Sequence, residues 1–99
     1  SKRRRGAVLA TLDSALLRAS VQQAEAGLTV ARAAAKLAEE SLSRQRPLHD
    51  EGIISALEFE TLTAQRDQAL GQAGRAEAAL AQARKQLANA RSAKRRTLI

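Results

Sequence analysis

The 99-residue sequence contains no cysteine, methionine, tryptophan or tyrosine, and it has one phenylalanine and one proline. Without cysteine the chain forms neither disulfides nor thiolate metal sites. With a single aromatic residue it lacks the stacking platforms of single-strand nucleic-acid binders. No apolar run approaches the roughly 20 residues of a membrane-spanning helix or forms a signal-peptide core. If the protein is exported, we expect the signal to lie outside this segment.

The residues that are present favour helices. There are 23 alanines and 14 leucines, against three valines and three isoleucines. Alanine has the highest helix propensity, whereas the β-branched and aromatic residues that favour strands are scarce. The sequence therefore predicts an all-α protein of one small domain, built from long helices with a thin apolar core.

The positive charge is concentrated at the two ends. The formal net charge is +7, and seven of the 17 basic residues lie at the ends: Lys2, Arg3, Arg4, Arg5, Lys94, Arg95 and Arg96. The other ten balance the ten acidic residues. A duplex binder would spread basic residues along one face to follow the phosphates. We therefore expect no nucleic-acid partner, and we rank binding through the basic ends last among three functional hypotheses.

Apolar residues recur at alternating spacings of four and three in both halves, which is the pattern of a coiled coil. We call these positions the seam. In the first half they are Leu17, Val21, Ala24, Leu28, Ala31, Ala35, Ala38 and Leu42. In the second half they are Phe59, Leu62, Ala69, Ala73, Ala76, Leu80, Ala83, Leu87 and Ala90, with Arg66 as a polar interruption. Two matched seams predict a long antiparallel two-helix coiled-coil hairpin.

The predicted hairpin spans residues 14–93. Its first helix covers about residues 14–50 and its second about residues 56–93, each about 55 Å long at 1.5 Å per residue. Pro47 removes one helical hydrogen bond, so the first helix is expected either to kink there or to end near Arg46.

The turn at residues 51–55 has strong local signals. Gly52 suits the left-handed position that follows a helix. Ser55 and Glu58 have the spacing of a capping box at the start of the second helix. Ile54 and Phe59 are placed to form a hydrophobic staple across that start.

The pattern changes at both ends of the chain. Residues 6–12 mix β-branched and apolar types without a helical stripe, and residues 97–99 do the same. Antiparallel helices bring both ends to the base of the hairpin. We expect short extended segments at residues 1–13 and 94–99 that enter a β-domain outside this chain.

No catalytic, metal or cofactor site is expected. A two-helix hairpin has no concave interior in which reactive groups converge. The single histidine, His49, is followed by Asp50 and Glu51 and is interpreted as a solvated residue of the turn. No glycine-rich phosphate loop or nucleophile motif is present.

Residues 44–55 resemble the hairpin tip of periplasmic adaptor proteins, the membrane fusion proteins (HlyD/RND adaptor family) of tripartite efflux and type I secretion systems. That tip carries an arginine, a leucine four residues later and a serine seven residues after the leucine. Arg44, Leu48 and Ser55 have this spacing. The resemblance also implies that residues 1–13 end the first half of a lipoyl-like domain and that residues 94–99 begin the second half.

The resemblance implies a periplasmic, non-enzymatic subunit that links an inner-membrane transporter to a TolC-like outer-membrane channel. It also implies a homo-oligomer, expected to be a hexamer, anchored to the inner membrane through regions outside this segment. At the tip, Arg44 would donate hydrogen bonds, Leu48 would fill an apolar recess and Ser55 would make a polar contact. Arg46 is a weaker candidate, because it either joins this surface or pairs with Asp50.

Each tip residue also has a structural interpretation. Arg44 lies four residues after Glu40 and is placed for an ordinary surface ion pair. Leu48 is placed to close the end of the seam, and Ser55 is placed to cap the second helix. If these roles are the only ones, the alternative function is a generic coiled-coil scaffold or dimerisation module.

Overall fold

The computed structural model describes the backbone of residues 2–97 and the side chains of residues 13–93. Within the described backbone the chain forms two α-helices and no strand. Helix α1 spans Lys2–Asp50 and helix α2 spans Ala56–Thr97. The all-α class and the two long packed helices predicted from the sequence are confirmed.

The chain divides into two units, and each pairs part of α1 with part of α2. The turn unit is Gly27–Ala76, and its core residues Leu28, Ala35 and Leu42 are each no more than 6% exposed. The terminal unit joins the residues up to Ala26 to those from Glu77 onward. Its core residues are Leu80 and Ala83, and Arg84 reaches across to Glu25 at 3.4 Å. Both cores are thin, because two helices enclose only one stripe of side chains.

The seam is the buried face of both helices. Every predicted seam position from Leu17 to Ala90 is buried or half-buried. The polar interruption, Arg66, is also half-buried, and its Nε donates to Asp67 Oδ1 at 2.9 Å. An arginine tolerates such a position because its aliphatic stem covers apolar surface while its charged end remains hydrated.

Helix α1 continues through Pro47 and ends at Asp50, so of the two alternatives at Pro47 an end near Arg46 is excluded. Proline removes only one intrahelical hydrogen bond, and the last turn is stabilised by bonds beyond it. Glu51 N–H donates to the Pro47 carbonyl at 3.0 Å.

The end of α1 is closed by a pair of hydrogen bonds around a left-handed glycine. Gly52, with φ of 77°, donates its N–H to the His49 carbonyl at 3.0 Å. Ile53 N–H donates to the Leu48 carbonyl at 2.8 Å. These two bonds form a Schellman motif, which satisfies carbonyls that the helix leaves without partners.

The structure corrects the expectation of extended ends. Residues 2–13 continue α1 and residues 94–97 continue α2, while Leu98 and Ile99 lie outside the described residues. A strand needs a neighbouring strand for its backbone groups, and the described part of the chain contains none. A helix satisfies these groups internally, and lysine, arginine, alanine and leucine all favour it. That the ends belong to lipoyl-like halves stays a prediction.

Replacing Gly52 by alanine is expected to lower the free energy of unfolding by about 1 kcal/mol. A Cβ at Gly52 would meet no atom within 4 Å, so the cost arises from the positive φ alone. Gly71→Ala is the matched control, because Gly71 lies inside α2 with equally open space. We expect that control to stabilise the chain by about 0.5–1 kcal/mol. Urea unfolding followed by circular dichroism measures the change in unfolding free energy for both variants. A change of the same sign in Gly52→Ala and Gly71→Ala would contradict the prediction.

Candidate docking site at the hairpin turn

The start of α2 is held by Ser55. The Glu58 N–H donates to Ser55 Oγ at 3.1 Å, and the Phe59 N–H donates to the Ser55 carbonyl at 3.1 Å. The hydroxyl oxygen therefore satisfies one of the N–H groups that a helix start leaves without a partner. With the bonds at Gly52, this cap defines the backbone on both sides of the turn.

His49 packs on Phe59 across the turn. The two rings are stacked with their centroids 4.3 Å apart and an interplanar angle of 17°. The His49 side chain is 34% exposed, and its Nδ1 lies 3.6 Å from Asp50 Oδ1. The interpretation of His49 as a solvated residue was therefore incomplete. Heptad spacing could have found this contact, because His49 lies seven residues after Leu42 in the seam.

Arg44 and Leu48 lie one turn apart on one face of α1. Arg44 is exposed, whereas Leu48 is half-buried. Among the described side chains, Arg44 forms no ion pair with Glu40, and the exposed Arg46 forms none with Asp50. The surface ion pairs of Arg44 with Glu40 and of Arg46 with Asp50, which the sequence allowed, are therefore absent from the described part of the chain. Both guanidinium groups are accessible to solvent.

A recess that the sequence analysis missed lies between the helices of the turn unit. It has a volume of about 440 Å³ and opens to solvent. The residues that line it are Gln45, Ile54, Leu57, Glu58, Thr61 and Leu62. Leu57 is 72% exposed, and nearby Ile53 is 65% exposed. No sequence signal marks the recess, because its walls come from both helices and the turn.

The chemical groups at the turn are those of a binding surface. Arg44 offers hydrogen-bond donors, Leu57 offers apolar surface and Glu58 offers a carboxylate. Among the described residues, no three histidine, cysteine or acidic side chains lie together as metal ligands. Within the described residues, no helix is both long enough and apolar enough to cross a membrane.

Replacing Ser55 by alanine is expected to lower the free energy of unfolding by about 1 kcal/mol, because the Glu58 N–H loses its acceptor. Ser55→Asp supplies another acceptor and should retain most of the stability. Ser43→Ala is the control, since Ser43 is exposed inside α1 and alanine favours a helix there. Chemical unfolding of the three variants measures the difference. A loss in Ser43→Ala as large as in Ser55→Ala would contradict a capping role.

These observations define a class of protein: an α-helical hairpin whose turn is capped on both sides and presents charged and apolar groups for an interaction. Residues 20–90 match the family described as RND MFP, alpha-helical hairpin domain. Because the match covers most of the chain, this protein belongs to that family of membrane fusion proteins, which are periplasmic adaptors of tripartite pumps. Searches of curated proteins and of solved structures found no match. The adaptor-hairpin resemblance drawn from the sequence is confirmed.

Proposed function

We propose that this chain is the hairpin of an adaptor subunit that links an inner-membrane transporter to a TolC-like outer-membrane channel. The turn docks onto the periplasmic end of the channel, and other parts of the adaptor contact the transporter. The hairpin transmits coupling between the two and carries out no chemistry. Membership of the RND MFP hairpin family supports this proposal.

The observation that carries the proposal is the accessible Arg44 on the same face as Leu48. A guanidinium presents several donors in a fixed fork, which suits backbone carbonyls or carboxylates of a partner. Arg44 has no ion-pair partner among the described side chains, so docking does not require an internal bond to break. Half-buried Leu48 adds apolar surface one turn away.

The subunit acts as a homo-oligomer, expected to be a hexamer, and is anchored to the inner membrane through regions outside this segment. Ser55 contributes a polar contact in addition to its cap, and Arg46 extends the basic part of the surface.

Binding of the native 99-residue chain to a TolC-like channel tests the function. We expect saturable binding to the immobilised channel and none to an unrelated outer-membrane porin. Sedimentation of the free chain tests the alternative of a generic scaffold. Self-association without channel binding would reject the docking function and favour that alternative.

A further inference from the structure

The recess beside the turn is suited to a side chain of a partner rather than to a dissolved small molecule. Its volume of about 440 Å³ falls within the range of ligand pockets, roughly 300–1,000 Å³, but it opens broadly to solvent. Three of the six lining residues are the apolar Ile54, Leu57 and Leu62. An open apolar recess favours a projecting group that remains attached to a larger surface.

Leu57 contributes to the recess without contributing much to the fold. Its exposure of 72% is the highest among the large exposed apolar residues of the described part of the chain. A single exposed leucine is ordinary. Leu57, however, lies in the first turn of α2, where the Ser55 cap holds the backbone. The backbone that carries the apolar Leu57 side chain is therefore in place before any partner arrives.

The rim of the recess carries acceptors and one negative charge. Glu58 is the only charged lining residue, and no cation lies within ion-pair distance of it among the described side chains. The Thr61 hydroxyl donates to the Leu57 carbonyl at 2.9 Å, which leaves its oxygen as an acceptor. A complementary partner therefore brings a cation to this rim.

The recess adjoins the face that carries Arg44. Gln45 lines the recess and lies three residues before Leu48, which is itself four residues after Arg44. Spacings of three and four make Leu48 a neighbour of both Gln45 and Arg44 on the surface of α1, so Leu48 connects the recess to Arg44. The docking surface thus runs from a positive group on α1, across apolar surface, to the negative Glu58 on α2.

We propose that the recess receives an apolar side chain from the periplasmic end of the channel, and that a neighbouring lysine or arginine of the channel pairs with Glu58. This inference rests on the proposed docking function and adds a specificity determinant to it. A surface with opposite charges at its two sides matches a partner in one orientation. In the reversed orientation, each charge of the hairpin would face a charge of the same sign on the partner. The recess therefore sets the orientation in which the hairpin docks.

Two substitutions test the recess in the full 99-residue chain. Leu57→Ala removes the apolar wall, and Glu58→Gln removes the charge while retaining a residue suited to a capping box. We expect about tenfold weaker binding to a TolC-like channel in detergent for Leu57→Ala. For Glu58→Gln we expect binding weakened roughly threefold or more and a smaller dependence on salt.

Matched controls separate the recess from general effects. Leu37 is 67% exposed on α1, and Glu60 is an exposed acidic residue of α2 that does not line the recess. Leu37→Ala and Glu60→Gln should bind within about twofold of the native chain. Circular dichroism of all four variants checks that helicity is unchanged.

The absence of cysteine allows a direct contact test. Thr61→Cys, carrying a photoreactive label, should cross-link to the channel, whereas the same label on Arg18→Cys, at an exposed position of the terminal unit, should not. Native binding that is lost in Arg44→Ala but unchanged in Leu57→Ala and Glu58→Gln, with no cross-link from Thr61, would overturn the recess and leave the docking function standing. Failure of the native chain to bind the channel would overturn both.

Discussion

Replacing Leu42 by alanine is expected to lower the free energy of unfolding by about 2–3 kcal/mol. Leu42 is 3% exposed and is the most buried core residue of the described chain. Its loss removes apolar contacts and leaves a cavity, although a two-helix core relaxes more easily than the core of a thicker domain. Urea unfolding followed by circular dichroism measures the change.

Leu37→Ala is the matched control for Leu42→Ala, since both residues lie in α1 and lose the same atoms. Leu37 is 67% exposed, so we expect a change within about 0.5 kcal/mol. The comparison tests the position of the seam as well as its energy. Equal losses in the two variants would contradict the burial pattern.

Replacing Arg44 by alanine is expected to weaken binding to a TolC-like channel by about tenfold to 100-fold without loss of helicity. Hydrogen bonds to a charged group contribute about 1.5–3 kcal/mol each, and 1.4 kcal/mol corresponds to tenfold in affinity. Arg44 is exposed and makes no ion pair among the described side chains, so its removal costs the fold little. Titration of the channel with each variant measures the affinity.

Two further variants show what Arg44 contributes. Arg44→Lys keeps the charge but loses the fork of donors, and it should recover only part of the affinity. Arg18→Ala removes an exposed arginine of α1 in the terminal unit and should bind as the native chain does. If Arg18→Ala weakens binding as much as Arg44→Ala, net charge rather than a docking contact explains the effect.

The seam could be predicted from the sequence because helical periodicity alone selects the face that a helix buries. Leu28 and Leu42 in the turn unit and Leu80 in the terminal unit are buried where the spacing places them. The ends of the chain could not be predicted in the same way. Residues 6–12 lack a helical stripe, yet they are helical because their backbone has no strand to pair with in the described chain.

The residues of the candidate site could likewise be predicted only in part from the sequence. Arg44, Leu48 and Ser55 match the spacing of the adaptor tip that residues 44–55 resemble, and their roles in docking stay predictions. The structure adds that the Ser55 hydroxyl is already engaged by the Glu58 N–H, whereas Arg44 is accessible. A docking experiment on Ser55 must therefore separate lost contact from lost capping, which Ser55→Asp allows.

The sequence by itself determined the helical class, the buried face of each helix and the residues of the turn. These depend on propensity and on contacts between residues a few positions apart, which the order of residues specifies directly. Only the tertiary structure decided the recess next to Leu57 and the stacked geometry of the His49 and Phe59 rings, because heptad spacing indicates no more than that His49 lies in the seam. Both depend on how side chains from two helices meet across the turn, and that geometry follows from packing rather than from local spacing.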